Sequence, residues 1–178
     1  MLRIHDSDID QYGRIKESRL NSRLNINFVL VDCSYCQDLR ELPIWPNVKG
    51  VYCNDCPGLR ELPEWPNVTY VNCINCPLLQ ELPEWPAVGI VDCSRCPNLL
   101  KLPEWPNVKE VGCYNCPNLE LPLWPDVRFY CEPEKKRRMV KKLKIRTMLL
   151  LSEYRYKDDN DDDRELNQNL LWSIAKYL

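Results

Sequence analysis

Nearly the same twenty residues occur five times in succession in this chain. The copies begin at Phe28, Val48, Val68, Val88 and Val108 and share the frame Val-x-x-Val-x-Cys-x-x-Cys-x-x-Leu-x-x-Leu-Pro-x-Trp-Pro-x. We call the second valine of this frame the strand valine, and its two cysteines the strand cysteine and the turn cysteine. A unit this short cannot bury its own apolar face, so it must stack on its neighbours. The period therefore predicts a solenoid, whose long regular surface favours binding over catalysis.

Each repeat divides into a strand and an extended return. The first six residues of the frame are rich in β-branched residues. Their last three positions alternate between constant apolar residues and a variable residue, which predicts a short strand. The second half contains two prolines, and proline removes an amide donor and disfavours helix in the residue before it. We predict an α+β solenoid with short parallel strands on a concave face, an extended or polyproline-like convex side and a helical cap at the C-terminal end.

Residues 1–27 do not fit the frame, and we predict that they form an N-terminal cap over the first open edge. A short hairpin is expected around Gly13. The alternating segment 24–28 is typical of a strand that leads into the first repeat.

The array covers residues 28–131 and comprises five repeats and a partial sixth that starts at Val127. The fifth copy is one residue shorter than the others, and such irregularity is expected where an array ends. Residues 132–178 carry two apolar stripes at helical spacing, which predict two helices that form a cap on the last coil.

Composition restricts the environment and the partners. The formal net charge is −2 over 178 residues. A net charge this small and negative gives no long-range electrostatic attraction to nucleic acid or to an anionic membrane. The first residues lack the apolar segment of a secretory signal, and no apolar run is long enough to span a bilayer. We therefore expect a cytoplasmic protein.

Eleven cysteines would indicate a disulfide framework in a secreted protein. Their odd number, their regular spacing and the missing signal instead favour reduced thiols. Ten of them belong to the repeat frame, and Cys131 lies outside it.

The frame resembles the leucine-rich repeat family, whose strand segment Leu-x-x-Leu-x-Leu-x-x-Asn/Cys aligns with Val48-x-x-Val51-x-Cys53-x-x-Cys56. The Leu-Pro-x-Trp-Pro return is similar to the short Leu-Pro-x-Leu-Pro class of about twenty residues per copy, found in bacterial effectors and in proteins of large DNA viruses. The resemblance covers residues 28–126 and implies a protein-binding module, with a host protein as its partner. Related effectors carry a catalytic ubiquitin-ligase domain after the repeats, for which this chain has no room.

The cysteine pairs have a functional and a structural interpretation. Two adjacent pairs, such as Cys53, Cys56, Cys73 and Cys76, could supply four thiolates to zinc, and each pair could act as a redox dithiol. However, five equivalent pairs do not divide into tetrahedral sites, and proline follows the turn cysteine in four copies. We favour buried, reduced thiols that fill the core, and we expect no metal and no other cofactor. The frame tryptophans are likewise expected to lie inward as packing.

The residues between the frame positions should form the concave face, and they differ from copy to copy. Tyrosine recurs there and is favoured in protein interfaces. We predict a partner-binding surface that contains Tyr35, Tyr52, Tyr70, Asn72, Asp92, Arg95 and Tyr114. Since no nucleophile, general base or phosphate loop is recognisable, we expect no enzymatic activity and no small-molecule substrate.

A basic segment offers a further alternative. Residues 135–146 contain eight Lys or Arg residues and could contact nucleic acid or a membrane. An acidic run at 158–163 offsets this charge, and no aromatic residues interleave with the basic ones. A solvated helix face is the simpler interpretation, so we expect a protein partner rather than nucleic acid or a membrane. We expect the protein itself to be a monomer or a weak homodimer.

Overall fold

A computed structural model describes residues 1–16, 29–124 and 126–157. Within these ranges seven short strands form one parallel sheet in chain order. The strands are β1 Leu2–Arg3, β2 Leu30–Asp32, β3 Gly50–Tyr52, β4 Tyr70–Asn72, β5 Ile90–Asp92, β6 Glu110–Gly112 and β7 Arg128–Tyr130. One α-helix, α1, spans Pro133–Lys157 in the described part of the chain. The predicted parallel β-solenoid is therefore confirmed.

The sheet belongs to a first compact unit, Met1–Pro122 with Asp126–Glu132, and α1 belongs to a second. The predicted first C-terminal helix is present as α1. The expected second helix and the expected strand at 24–28 lie outside the described residues.

The repeat sets the register of the sheet. Each strand valine pairs with the strand valine of the next coil, from Val31 through Val51, Val71 and Val91 to Val111. Parallel strands lie about 4.8 Å apart, so every side chain of one coil stacks on its equivalent in the next. The described return paths between β2 and β7 contain turns and no helix, which agrees with the prolines.

The sheet extends one strand beyond the array at its N-terminal end. Leu2 pairs with Val31, and the Ile4 amide donates to the Asp32 carbonyl at 2.8 Å. Ile4 thus occupies the strand-cysteine place of a coil that precedes the first repeat, and its carbonyl accepts a hydrogen bond from the Cys36 thiol at 3.6 Å. This strand was not predicted, because Leu2 precedes its partner Val31 by 29 residues (31 − 2) and not by the period of the array.

The hairpin expected around Gly13 is confirmed. Ile9 and Ile15 form an antiparallel bridge, and the Asp10 amide donates to the Arg14 carbonyl at 2.8 Å. Gly13 has a φ of +82°, which glycine adopts without strain.

The C-terminal end of the sheet corrects the expected sixth repeat. A repeat that starts at Val127 would place Tyr130 at the strand-valine position, but Phe129 pairs with Val111 there and is buried. Cys131 consequently follows at the strand-cysteine place, inside the frame and not outside it, and is also buried. The fifth coil is two residues shorter than the others, and the sequence reasoning found only one of these deletions.

The core consists of the frame residues. The strand valines, both cysteine columns and the first leucine column are buried in each of the five coils, and the second leucine column is buried in the first four. Leu121, the second leucine of the fifth coil, is half-buried. The expected inward tryptophans are confirmed for Trp45, Trp65, Trp85 and Trp105, while Trp124 is half-buried.

The stacked tryptophans also hydrogen-bond to the return path of the preceding coil. Ring centroids of successive indoles are 5.8–6.0 Å apart with nearly parallel planes. The indole N–H groups of Trp65, Trp85 and Trp105 donate to the proline carbonyl one coil earlier, at 3.0–3.1 Å. The indole therefore contributes packing area and satisfies an acceptor of the neighbouring return path.

Removal of a central indole should cost more than removal of a terminal one. Trp85 is 0% exposed and stacks on both Trp65 and Trp105, whereas Trp45 is 8% exposed and ends the column. We expect Trp85→Ala to lower the free energy of unfolding by about 3–5 kcal/mol and Trp45→Ala by roughly half as much. Urea unfolding under reducing conditions measures both, and equal losses would contradict continuous stacking.

Candidate binding face on the parallel sheet

Two rows of side chains cover the outer side of the sheet, because residues on either side of each buried strand valine point away from the core. We call these two rows the strand face. The row after the strand valine contains Arg3, Asp32, Tyr52, Asn72, Asp92, Gly112 and Tyr130. The row before it contains Leu30, Gly50, Tyr70, Ile90, Glu110 and Arg128.

An aromatic pair lies near the middle of the strand face. The Tyr52 and Tyr70 ring centroids are 5.1 Å apart at an interplanar angle of 42°. The Asn72 side-chain amide donates to the Tyr70 hydroxyl at 3.2 Å. Burial, followed by the proximity of Tyr52 and Asp92, raises the pKa of Tyr70, while the bond from Asn72 opposes the shift. The phenol is therefore neutral at physiological pH.

Asn72 also carries an unsatisfied acceptor. Its Oδ1 atom is buried and has no hydrogen-bond partner in the described part of the chain. A buried amide carbonyl without a donor typically costs about 1–3 kcal/mol. Glu132 Oε2 is likewise buried without a partner in the described part of the chain.

Asp92 lies beside Asn72 on the next strand. One carboxylate oxygen accepts a hydrogen bond from the Ser94 amide at 3.1 Å. A Cβ atom at Gly112 would lie 2.6 Å from this carboxylate, so only glycine leaves the space into which Asp92 leans. No ion pair to Asp92 occurs among the described residues.

The carboxylates at the two ends of the strand face are paired. Arg3 lies 3.4 Å from Asp32 and Arg128 lies 3.1 Å from Glu110. The centre of the face therefore contains the unpaired acid, and its ends contain internally neutralised pairs.

The predicted binding residues separate into two groups. Tyr52, Tyr70, Asn72 and Asp92 lie together on the strand face. Tyr35, Arg95 and Tyr114 lie instead in the turns between the two cysteines and are exposed.

The turn geometry explains this division. The residue before each turn cysteine has a left-handed backbone, with positive φ at Tyr35, Asp55, Asn75, Arg95 and Asn115. Asn and Asp adopt this conformation more readily than other non-glycine residues, and they occupy three of these five places. That enrichment was the sequence signal for the turn, and the sequence reasoning did not use it.

Polar side chains of the turns stabilise the stack. The residue after the strand cysteine often accepts a hydrogen bond from the turn of the next coil. Ser34 accepts from the Asn54 amide at 3.3 Å, Asn54 from Ile74 at 3.1 Å and Ser94 from Tyr114 at 3.1 Å. These side chains therefore have a structural role, although the sequence had suggested free surface.

The cysteines connect neighbouring coils as neutral thiols. The turn-cysteine Sγ donates to the strand-cysteine carbonyl of the preceding coil, at 3.1 Å from Cys56 to Cys33 and 3.0 Å from Cys76 to Cys53. Strand cysteines donate in the other direction, as Cys33 does to the Tyr52 carbonyl at 3.3 Å. Most of the frame thiols thus lie within hydrogen-bond distance of a backbone carbonyl of a neighbouring coil.

Burial keeps these thiols protonated. It raises the pKa of Cys56 to about 12 and that of Cys33 well above its usual value. Burial, reinforced by Asp6 and Asp8, raises the pKa of Cys36 to about 11. Cys76 is an exception, because its side-chain hydrogen bond with Cys53 lowers its pKa and outweighs the effect of burial. Thiolate is the form that attacks or binds metal, so the environments of Cys33, Cys36 and Cys56 disfavour both alternative functions for those three thiols. In the described ranges, no group of three or more His, Cys, Asp or Glu side chains is arranged to hold a metal ion.

The basic segment 135–146 lies within α1. Most of its side chains are exposed, including the apolar Val140 and Ile145. Arg138 pairs with Glu134 one turn away at 3.6 Å. Among the described residues, no helix has the length and apolar character needed to cross a bilayer.

Comparison with known proteins gives no family assignment. No protein-family profile matches the chain, and no curated protein is significantly similar to it in sequence.

The left-handed turn predicts an unusual stabilising substitution. Arg95 has a φ of +60°, and a non-glycine residue in this region costs about 1–2 kcal/mol. We expect Arg95→Gly to raise the free energy of unfolding by about 0.5–1 kcal/mol, after the entropy cost of glycine is subtracted. The exposed Arg60, outside the left-handed set, is the matched control, because Arg60→Gly should lower stability. A loss in both variants by chemical denaturation would contradict the turn geometry.

The buried thiols predict a loss of stability at alkaline pH. Cys56 keeps its proton in the folded protein up to about pH 12, whereas an unfolded-chain thiol ionises near about pH 8.5–9. The folded state therefore binds more protons above about pH 9, and the free energy of unfolding falls by about 1.4 kcal/mol per pH unit for each such thiol. The contribution of Cys56 is complete below about pH 9 and disappears progressively between about pH 9 and 12.

Urea unfolding at a series of pH values, with reductant, measures this slope. Lysines and tyrosines titrate in the same range, so Cys56→Ala is compared at each pH. We expect its slope to be shallower by one proton, and an unchanged slope would contradict a protonated buried thiol.

Proposed function

We propose that this protein is a non-catalytic recognition module that binds a protein partner on its strand face. The observation that carries this proposal is the central cluster of Tyr52, Tyr70, Asn72 and Asp92. It combines two partly exposed phenol rings, an acceptor without a donor and a carboxylate without a cation in the described part of the chain. Tyrosine-rich surfaces with a few directed polar groups are typical of protein interfaces.

The contrast between the frame and the strand face supports this choice. The frame residues are the same in each coil because neighbouring coils contact each other through them. Strand-face residues such as Tyr52, Asn72 and Asp92 occupy equivalent positions and yet differ at each step. Stacking requires no such variation, so the variation is available for recognition. The potentially reactive thiols and indoles are occupied by packing, which supports a non-enzymatic role.

We further propose that each coil is a short leucine-rich repeat. Buried leucines in both frame columns, such as Leu59 and Leu62, support this assignment, as does the extended proline-containing return. The turn cysteine takes the ladder position that asparagine or cysteine fills in that family. If the likeness to effector and viral repeats holds, the partner is a host protein.

A second candidate rests on α1. Basic residues of the segment 135–146 surround exposed apolar side chains at Val140 and Ile145, and such a surface suits an anionic polymer or bilayer. Binding through this surface would weaken steeply with salt and would be lost on charge reversal of Lys141 and Lys144.

Site-specific photo-crosslinking tests the proposal. A photoreactive phenylalanine replaces Ile90 on the strand face, Ile44 on the return side or Met148 on α1, since these side chains are 41%, 66% and 63% exposed. In an extract of the cells in which the protein acts, we expect a discrete protein adduct from position 90. It should disappear when Tyr52 and Asn72 are both changed to alanine, because the partner then loses the central cluster.

The other two positions provide the controls. If the same set of crosslinked proteins is obtained from all three positions, the capture is nonspecific and the proposal is contradicted. An adduct from position 148 alone, sensitive to Lys141→Glu, would favour the second candidate instead.

A further inference from the structure

We propose that the central cluster of the strand face is a receptor for one arginine side chain of the protein partner. This inference rests on the proposed function and specifies the chemistry that the strand face recognises. The site is formed by Asp92 above Gly112, by the tyrosine pair and by Asn72.

The charge of the strand face selects a cation. Among the described residues of the two rows, three carboxylates occur, and two of them are neutralised by Arg3 and Arg128. Asp92 remains as the acid without an ion pair in this part of the chain, and it is partly exposed. One of its oxygens accepts a hydrogen bond from the Ser94 amide, which holds the carboxylate in place and leaves the other oxygen available to a ligand.

The absence of a side chain at position 112 supplies the space. Asp92 and Gly112 are neighbours in the same row. A Cβ at this position would meet all three atoms of the Asp92 carboxyl group within 2.9 Å. The carboxyl group of Asp92 therefore occupies the space above Gly112 that a side chain at this position would need.

The neighbouring groups match guanidinium more closely than ammonium. Guanidinium is planar, carries five donors and stacks on aromatic rings, so it can contact a carboxylate and a phenol ring at once. Tyr70 presents its ring in the adjacent row, in contact with Tyr52. The exposed Ile90, between Tyr70 and Glu110 in that row, offers an apolar surface for the methylene stem.

Asn72 supplies the missing acceptor. Its amide nitrogen is engaged by the Tyr70 hydroxyl, and its Oδ1 is covered and has no donor in the described part of the chain. For Oδ1 to reach a guanidinium held by Asp92, this side chain must rotate and exchange its bond to the Tyr70 hydroxyl for the new contact. Binding then satisfies an acceptor that the free protein leaves unpaired, which adds affinity and specificity for a donor.

A peptide titration tests the assignment without knowledge of the partner. The probe is acetyl-Gly-Arg-Gly-amide, compared with the citrulline peptide, a neutral isostere, and with the lysine peptide. NMR signals of the Asn72 side-chain amide and of the Asp92 and Gly112 backbone amides report on the site. We expect saturable shifts of these signals with arginine, and at least tenfold weaker binding of both other peptides.

Two matched variants locate the site. Asp92→Asn keeps an oxygen acceptor for the Ser94 amide and should fold, but it removes the charge and should weaken arginine binding at least tenfold. Glu84→Gln removes an exposed carboxylate on the return side and should leave the binding unchanged. Equal affinity for arginine and citrulline, equal affinity for lysine, or an unchanged affinity of Asp92→Asn would overturn the proposal.

The crosslinking experiment and the peptide titration can fail independently of each other. A crosslink from position 90 without arginine binding would leave the protein-binding function intact and remove the arginine assignment. Arginine binding without any crosslink from position 90 would support the arginine site and contradict the proposed partner protein.

Discussion

Hydrogen bonds between each coil and the next determine the rest of this structure. The chain pairs with itself in parallel at a constant step, so each residue lies over its own equivalent. Any side chain in the core must therefore pack against a copy of itself at a spacing of about 4.8 Å. Valine, leucine, neutral cysteine and offset indoles satisfy that condition, whereas a charged column would not. The same condition extends to the turns, where the Tyr35 amide donates to the Asn54 carbonyl of the next coil at 2.7 Å.

Stacking divides the residues into two functional classes. Side chains that look reactive in the sequence, the thiols and indoles, are the least available, because the Cys56 thiol and the Trp85 indole each donate to a backbone carbonyl of the neighbouring coil. Side chains that differ between coils contribute less to the stack, although Ser34, Asn54 and Ser94 accept hydrogen bonds from the next coil. The variable side chains collect on the outer side of the sheet, where Asn72 and Asp92 retain unused hydrogen-bonding capacity. The architecture thereby separates the groups that stabilise the protein from those available to recognise a partner.

The repeat in the sequence allowed the strand register to be predicted inside the array. At the two ends, where the repeat stops, the register could not be predicted. The twenty-residue step predicted the register of Val51 on Val71, because this register follows from repetition alone. It did not predict the pairing of Leu2 with Val31 or the place of Cys131, since the register at the ends depends on three-dimensional fit and not on spacing. The candidate site was predicted in part. Four residues could be assigned to one face from alternation, but the space above Gly112 and the unpaired oxygen of Asn72 depend on side-chain contacts that no sequence pattern encodes.

The central claim is that backbone hydrogen bonds join the turns of neighbouring coils as firmly as they join the strands. Native-state hydrogen exchange of the backbone amides tests it most directly. The amides of Asn75 and Arg95 donate to the next coil at 2.9 and 2.6 Å, as the strand-cysteine amide of Cys73 does at 2.8 Å. If the stack opens as a unit, these turn amides should be protected to the same degree as Cys73. Exchange of Asn75 and Arg95 at the rate of an open loop, beside a protected Cys73, would contradict the account.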